Sequence, residues 1–337
     1  MVGIDLTFIW AVIIIFSIMM YVVMDGFDLG IGILFPFVKG SEERGVMMNT
    51  VAPIWDGNET WLVLGGAGLY GAFPLAYGVV LPALYLPLIF MLIGLIFRGV
   101  AFEFRFKVDV GKEGLWDKSF IVGSVLATFC QGVALGGFIQ GIPVVNRQYA
   151  GGPLDWLTPF SLFCGLGLIA AYALLGSTWL IMKTEGHIQA RMRTLTRPLL
   201  LILLLVMGGV SLWTPLSHEA IAQRWFTFPN ILWFMPVPIL VVVTAVGLLK
   251  SIQREEIHST PFVLTLILIF LGYSGLGISL WPYIIPPSVT IWDAASPPQS
   301  QLFLLIGTLF IIPMTLMYTA WGYYVFRGKV RAGEGYH

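Results

Sequence analysis

Two pairs of carboxyl side chains interrupt the otherwise apolar sequence near the N-terminus. Asp25 and Asp28 stand three positions apart inside the first long apolar run, and Asp56 and Glu59 repeat that spacing at the start of the second. In a helix, residues three apart lie on the same face. A carboxyl group that is shielded from water and lies near other charges can exchange protons at neutral pH. These residues could therefore carry out proton transfer.

Arg98 supplies a positive charge that such acids need. It lies toward the end of the third apolar run, and the alternating directions of the helices bring it to the same membrane depth as the two acid pairs. An ionisable group within a span costs on the order of 2.5–3.5 kcal/mol on insertion scales, so it usually forms a pair or lines a water path. We expect Arg98 to pair with Asp28 or Asp56 in a polar cluster near the cytoplasmic side.

Two interpretations of this polar cluster stay open, because spacing alone does not decide between them. One is a structural ion-pair network that locks three helices together, and we favour it for the acids of the first span. The other is a proton-uptake route, which we favour for the acids of the second span because an amide and an aromatic ring flank them. The structural assignment covers Asp25, Asp28, Arg98 and Glu103, and the proton-uptake assignment covers Asp56, Asn58, Glu59 and Trp61.

The composition calls for a membrane around these residues. The chain of 337 residues is 58% hydrophobic and only 11% charged, whereas an ordinary soluble domain is about 25% charged. Nine stretches approach the roughly 20 apolar residues that cross about 30 Å of hydrocarbon. We predict an all-α, polytopic transmembrane helical bundle of about nine spans, with residues 1–337 as one transmembrane domain. The spans lie near 6–36, 53–73, 78–101, 117–140, 159–182, 197–214, 230–249, 261–283 and 301–326.

The placement of basic residues predicts the orientation of these spans. Lys and Arg near the ends of spans stay on the cytoplasmic side. All of the 18 Lys and Arg except Arg147 and Arg224 fall in odd-numbered loops, at the span ends beside them, or in the C-terminal tail. We therefore expect the N-terminus outside and the C-terminus in the cytoplasm.

Several kinds of partner and chemistry are not expected. Formal charges balance at 18 Lys and Arg against 18 Asp and Glu, which argues against a nucleic-acid partner. Loops are too short for a separate soluble catalytic domain. A haem within the membrane needs an axial ligand at depth, and no histidine is predicted to lie inside a span. We expect no metal or haem ligated by this chain, since its histidines fall in loops or the tail at His187, His218, His258 and His337.

Five sequence motifs, taken in order along the chain, resemble those of subunit II of the cytochrome bd-type quinol oxidases. The resemblance covers essentially the whole chain, and the compact loops are most similar to the cyanide-insensitive branch. The motifs are Asp25-Gly-Phe-Asp-Leu-Gly30, Trp55-Asp-Gly-Asn-Glu-Thr-Trp61, Phe97-Arg98 with Glu103-Phe104-Arg105, Trp292-Asp293-Ala294 and Tyr318-Thr-Ala-Trp321.

The resemblance implies a terminal oxidase of the bacterial respiratory chain, located in the cytoplasmic (inner) membrane. Such an enzyme oxidises quinol and reduces oxygen to water with protons from the cytoplasm. The resemblance also implies an obligate heterodimer, in which subunit I carries haems b and d and the quinol site. Subunit II then supports assembly and haem retention. Small accessory subunits, and a quinone or lipid bound between spans, are compatible with it.

The resemblance also implies roles for individual residues. Asp56, with Trp61 nearby, matches family positions proposed for proton intake, while Asp28 and Arg98 match positions tied to the integrity of the haem site in the partner. Glu59 stands where some members carry Gln, which leaves open whether an extra titrating group alters uptake.

One alternative belongs to a different class of protein. A stand-alone, proton-coupled secondary transporter or channel would also carry acids inside its spans and helices broken by proline. A transporter should purify and work as one gene product, whereas an oxidase subunit should purify with a partner that absorbs as haem.

Asp293 lies in the eighth loop, outside the polar cluster, and we interpret it as a cap or anchor before the last span.

Overall fold

The structure is a computed structural model that describes residues 5–109, 111–254, 256–331 and 333. These residues are mostly α-helical, which confirms the predicted all-α class. Eight helical segments among them are long and apolar enough to cross a membrane. They are Leu6–Phe37, Tyr85–Phe104, Gly114–Gln140, Pro159–Lys183, Gly186–Ser217, Asn230–Ser251, Thr260–Leu280 and Pro298–Val325.

The helices are numbered here along the chain, and α1 continues into a 3₁₀ turn at Phe35–Phe37. In order they are α1 Leu6–Leu34, α2 Ser41–Asn49, α3 Trp55–Ala72, α4 Pro74–Ala83, α5 Tyr85–Phe104, α6 Gly114–Gln140, α7 Pro159–Lys183, α8 Gly186–Ser217, α9 Glu219–Phe226, α10 Asn230–Phe234, α11 Pro236–Ser251, α12 Thr260–Leu280, α13 Ile291–Ala294 and α14 Pro298–Val325.

The second and third predicted spans differ most from expectation. The second corresponds to α3, whose first two turns are polar, so this helix does not join the eight apolar segments. The third, predicted as one helix near 78–101, is interrupted at Leu84 between α4 and α5. Pro87 has no N–H to donate to the carbonyl four residues earlier, which breaks the ladder of helical hydrogen bonds there.

Two short hairpins lie in the loops that we predict to be outside. Val144–Val145 (β1) pairs antiparallel with Gln148–Tyr149 (β2), and Tyr283–Ile285 (β3) pairs with Val289–Thr290 (β4). The turn of the first hairpin has Asn146 and Arg147 at φ of 50° and 62°, as a two-residue turn of this kind requires.

Asp293 lies in the short helix α13 that follows the second hairpin, and it forms a capping box with the N-cap residue Thr290. Its carboxylate accepts hydrogen bonds from the Thr290 hydroxyl and from the Thr290 backbone N–H, the latter at 3.1 Å. These bonds, chiefly the one from the hydroxyl, lower the pKa of Asp293. The residue anchors the segment just ahead of α14, whose first residue is Pro298.

Helix α1 lies at the centre of the bundle and contacts α3, α6 and α7. Its C-terminal part is continuously buried from Met24 to Phe35, just beyond the end of the helix. Close approach to α7 depends on glycine, because a Cβ atom on Gly30 would lie 1.9 Å from the carbonyl oxygen of Tyr172. Small residues commonly allow helices in membranes to approach this closely. This packing places the acids of α1 inside the protein.

Three charged residues link α2 to the C-terminal end of α5 and the N-terminal end of α6, and we call them the helix-end cluster: Arg44, Arg105 and Asp117. The Asp117 carboxylate receives Arg105 Nε at 2.6 Å and Arg44 Nη1 at 2.9 Å. Arg44 also donates to the carbonyl oxygen of Val38, and Arg105 donates to that of Ser41. The cluster fixes the connection between α1 and α3 against the hairpin of α5 and α6.

Candidate functional site

A fully buried ion pair lies at the centre of the candidate site. Arg98 of α5 meets Asp25 of α1 with 2.8 Å between Nη1 and Oδ1, and neither side chain is exposed. The same guanidinium contacts Glu59 of α3, which is partly exposed. The rings of Trp55 and Phe102 lie 5.5 and 5.8 Å from the guanidinium carbon. Three helices are thus joined at one arginine.

A second arm of the site runs through Asn58. Its amide nitrogen donates to Asp28 Oδ2 at 2.8 Å, and its amide oxygen accepts the hydroxyl of Tyr323 at 2.9 Å. Asp28 and Asn58 are both buried. Because Tyr323 belongs to α14, this helix also takes part in the site.

The site contains more acid than base. We call it the buried cluster and define it as Asp25, Asp28, Asn58, Glu59 and Arg98. Three of these residues have carboxyl groups, and one has a guanidinium. Burying an unpaired charge costs several kcal/mol, and acid in excess of base is the composition of a site that can store a proton. The arrangement therefore suits proton transfer as well as helix packing.

The pairing of Arg98 differs from the sequence prediction. Its ion-pair partners are Asp25 and Glu59 rather than the predicted Asp28 or Asp56. The Asp28 carboxylate is instead held by Asn58, and Asp56 lies exposed in the first turn of α3. Glu59, which follows Asp56 by three residues in α3, contacts the arginine instead.

Two further predicted residues lie outside the buried cluster. Trp61 is fully buried and packs edge-on against Phe16, with 5.7 Å between ring centroids. Glu103 is exposed and pairs with Lys107 at 3.2 Å. Five helical positions rotate a side chain by about 140° at 3.6 residues per turn, so Glu103 cannot face the same side of α5 as Arg98. The structure does not bring Glu103 into the cluster.

Four polar residues around the acids were missed by the sequence analysis. One is Tyr323, described above. The other three form a chain of hydrogen bonds, in which Gln131 Nε2 donates to the Tyr21 hydroxyl at 2.6 Å and Tyr172 donates to Gln131 Oε1 at 2.9 Å. An amide in the middle of apolar α6 was a usable signal. The tyrosines carried no such signal.

The described residues contain no group of three or more His, Cys, Asp and Glu side chains that could hold a metal ion. His187 is exposed near the start of α8, while His218 and His258 lie between helices. His337 lies outside the described residues. The three described histidines therefore lie at or beyond the ends of helices.

Long apolar helices around an ion-paired interior define a polytopic membrane protein. The family model for cytochrome bd terminal oxidase subunit II matches residues 6–326. The chain therefore belongs to the cytochrome bd terminal oxidase subunit II family.

Similar proteins share nearly the full length of the chain. Subunit 2 of the cytochrome bd-I ubiquinol oxidase of Escherichia coli K12 is 29% identical over 371 aligned positions, covering 96% of this chain and 95% of that one. Subunit 2 of the cytochrome bd ubiquinol oxidase of Bacillus subtilis is 26% identical, covering 96% and 97%. A chain of the bd oxidase structure from Geobacillus thermodenitrificans has the same fold, with a TM-score of 0.73, 16% identity, and coverage of 96% and 98%.

Family membership decides between the two classes of function considered. The chain is a subunit of a quinol:oxygen oxidoreductase of the respiratory chain, not a stand-alone transporter. The family implies haem in the complex and a partner subunit I.

Proposed function

We propose that this chain is the haem-free subunit of the oxidase and provides a route by which protons enter from the cytoplasm. One observation carries the route: a row of acids leads from the exposed Asp56, through the partly exposed Glu59, to the fully buried pair of Arg98 and Asp25. Asp56 and Glu59 lie on one face of α3 because they are three residues apart. A proton taken up at Asp56 therefore has its next acceptor within the same helix.

The buried cluster also supports the partner. In this proposal Asp28 and Arg98 fix the inner halves of α1, α3 and α5, and the surface they shape holds the haem site of subunit I together. Asp25 neutralises Arg98 within the bundle. Removal of one charge leaves its mate buried and unpaired, which distorts the packing around it.

The proposal includes nine spans, an outer N-terminus and a cytoplasmic C-terminus. Helix α3 supplies the ninth crossing, with its polar first turns at the inner surface. Support comes from the bias of Lys and Arg toward one set of helix ends, including the helix-end cluster at the same end as Asp56. The whole chain forms a single transmembrane domain in the bacterial cytoplasmic membrane.

Subunit I is proposed to carry haems b and d and the quinol site, as the obligate partner of this chain. The positions of the three described histidines support this division. Small accessory subunits, and a quinone or lipid bound between spans, are compatible with the proposal, since helix α14 exposes most of its apolar surface along its length. No role for nucleic acid is included.

A tag on this chain tests the assignment of subunits. Complex purified through the tag should show haem absorption bands, and the separated chain should show none. Haem bound to the isolated chain would overturn the haem-free assignment.

Asp56→Asn tests the route. We expect oxygen reduction to slow about tenfold, less than the roughly 100-fold of a fully positioned acid or base, because water can still reach Glu59. Haem spectra should be unchanged. The matched control is Glu103→Gln, which removes an exposed carboxylate outside the cluster and should leave turnover at the wild-type rate. Equal turnover in both variants would remove Asp56 from the route.

A further inference from the structure

The polar residues of α6 form a stripe that faces α1. Ser124, Thr128 and Gln131 follow each other at spacings of four and three, so they lie on one face of the helix. Two contacts fix which helix they face. A Cβ atom on Gly32 would lie 2.1 Å from Ser124 Oγ, and Gln131 bonds to Tyr21. The later residue of α1, Gly32, meets the earlier residue of α6, Ser124, and the reverse holds for Tyr21 and Gln131. Helices α1 and α6 are therefore antiparallel.

The facing stripe of α1 contains the acids of the buried cluster. Tyr21, Asp25, Asp28 and Gly32 are spaced by four, three and four residues, which places them on one face of α1. Both acids therefore lie between the two contacts that join α1 to α6. Thr128 lies in the corresponding interval of α6. We call this interface between the two stripes the α1–α6 seam.

Besides the carboxylate of Asp25, which is ion-paired to Arg98, three buried polar atoms of the seam have no hydrogen-bond partner within the part of the chain that the structure describes. They are Asp28 Oδ1, Ser124 Oγ and Thr128 Oγ1. All three side chains are fully buried. Such atoms are rare, because more than about 90% of buried polar groups are bonded to protein or ordered water.

Other buried threonines of the bundle make a hydrogen bond within their own helix that Thr128 does not make. The hydroxyls of Thr178, Thr196 and Thr265 each donate to the carbonyl oxygen four residues earlier, at 2.7 to 3.0 Å. This bond is open to any threonine in a helix. At Thr128 it is not made, so the hydroxyl remains available to a group in the seam.

Both ends of the seam are closed by side chains. On the inner side, the ring of Phe120 packs against Phe35 and Phe102, with centroid distances of 4.7 and 5.0 Å. On the other side, Gln131 bonds at once to Tyr21 and Tyr172. The polar atoms between them are thus separated from bulk water.

We propose that the α1–α6 seam binds ordered water, which bridges Asp28 to the hydroxyls of Ser124 and Thr128. A buried water makes about three hydrogen bonds to polar groups that otherwise lack partners. The two hydroxyls can each donate or accept, and the carboxyl oxygen can accept. Because its ends are closed, the seam is an internal water store rather than a channel from the surface.

The consequence for activity rests on the proposed proton route. Water at Asp28 gives the buried cluster a place to hold a proton beyond its own carboxyl groups. It also makes α6 a wall of the site, together with α1, α3 and α5. Thr128 is then a positioning residue for this water.

Thr128→Val in the intact complex tests the water store, because valine keeps the shape and loses the hydroxyl. The matched control is Thr178→Val, whose hydroxyl is satisfied within its own helix. Infrared difference spectra of the oxidised and reduced complex, with ¹³C-labelled aspartate, identify the carboxyl bands. We expect Thr128→Val to shift an aspartate band and slow turnover several-fold, with haem content unchanged, and Thr178→Val to do neither. Thr128→Ser should restore the wild-type band.

The proposal is overturned if the aspartate bands of Thr128→Val have the same positions as those of Thr178→Val. If Thr128→Val fails to assemble, the decision passes to Ser124→Ala with the same spectra, and an unmoved band again overturns the proposal. The spectra also separate this idea from the proton route. If Thr128→Val shifts the aspartate band but Asp56→Asn has normal turnover, the proton route alone is removed. If Asp56→Asn is slow but Thr128→Val leaves the band unmoved, the water alone is removed.

Discussion

Two ion-paired groups of this protein use the same residue types in opposite proportions. In the helix-end cluster, one carboxylate lies between two arginines, Arg44 and Arg105. In the buried cluster, one arginine is accompanied by three residues with carboxyl groups, two of which pair with it. The arginines of the helix-end cluster also donate to backbone carbonyl oxygens of neighbouring segments. Arg98 is held by the carboxylates of Asp25 and Glu59.

The difference separates a structural joint from a site that can change its state. The Asp117 carboxylate has a guanidinium donor on each of its two oxygens. The buried cluster retains Asp28 Oδ1 without a partner among the described groups, and Glu59 connects it to the surface. We therefore expect substitutions in the helix-end cluster to change stability alone. Substitutions in the buried cluster should change haem content or turnover.

Arg98→Ala should have the largest effect, because it leaves Asp25 buried and unpaired. Breaking a buried pair in this way costs about 3–5 kcal/mol. We expect the purified complex to lose haem, measured as haem absorbance per protein. Arg98→Lys, which keeps the charge but not the fork of donors, should retain an intermediate amount. Full haem occupancy in Arg98→Ala would show that the buried cluster does not support the partner.

Asp117→Asn should have the next largest effect, and on stability only. The amide leaves two arginines without a counter-charge, and hydrogen bonds to charged groups contribute about 1.5–3 kcal/mol. We expect a lower Tm for the complex with unchanged turnover per haem. Asp109→Asn is the matched control, since its pairing with Lys112 is exposed and such pairs contribute little. A drop in turnover per haem in Asp117→Asn would break the distinction between the two clusters.

Glu59→Gln should have the smallest effect of the three. Glutamine can still accept a hydrogen bond from Arg98, and the resemblance to the family already pointed to Gln at this position in some members. We expect the barrier to oxygen reduction to change by less than about 1 kcal/mol, which corresponds to a factor of about five in turnover. Turnover in Glu59→Gln below that of Asp56→Asn would make Glu59 the principal acid of the route.

The membrane fold and the meeting of the acids with Arg98 could be predicted because they follow from strong physical constraints. A span needs a minimum length of apolar residues, and charges inside it must find partners. Spacings of three along a helix then placed each acid pair on one face, and alternating helix directions gave their depth. Five of the eight predicted site residues lie together in the buried cluster.

The details that could not be predicted depend on helix rotation and side-chain reach. Whether Asp25 or Asp28 meets Arg98 depends on how α1 is turned relative to α5, which a single sequence does not encode in any local pattern. Glu103 was assigned by proximity in sequence, although five positions turn it away from Arg98. The break at Leu84 had a signal in Pro87, but a proline in a membrane helix can bend it without ending it.

The hydrogen bond from Tyr323 to Asn58 joins residues 265 positions apart. Since α14 follows α1 and α3 along the chain, the acids of α1 and α3 are synthesised before the group that completes their surroundings. A chain that stops before α14 would present an unfinished polar patch to the lipid or to the insertion machinery.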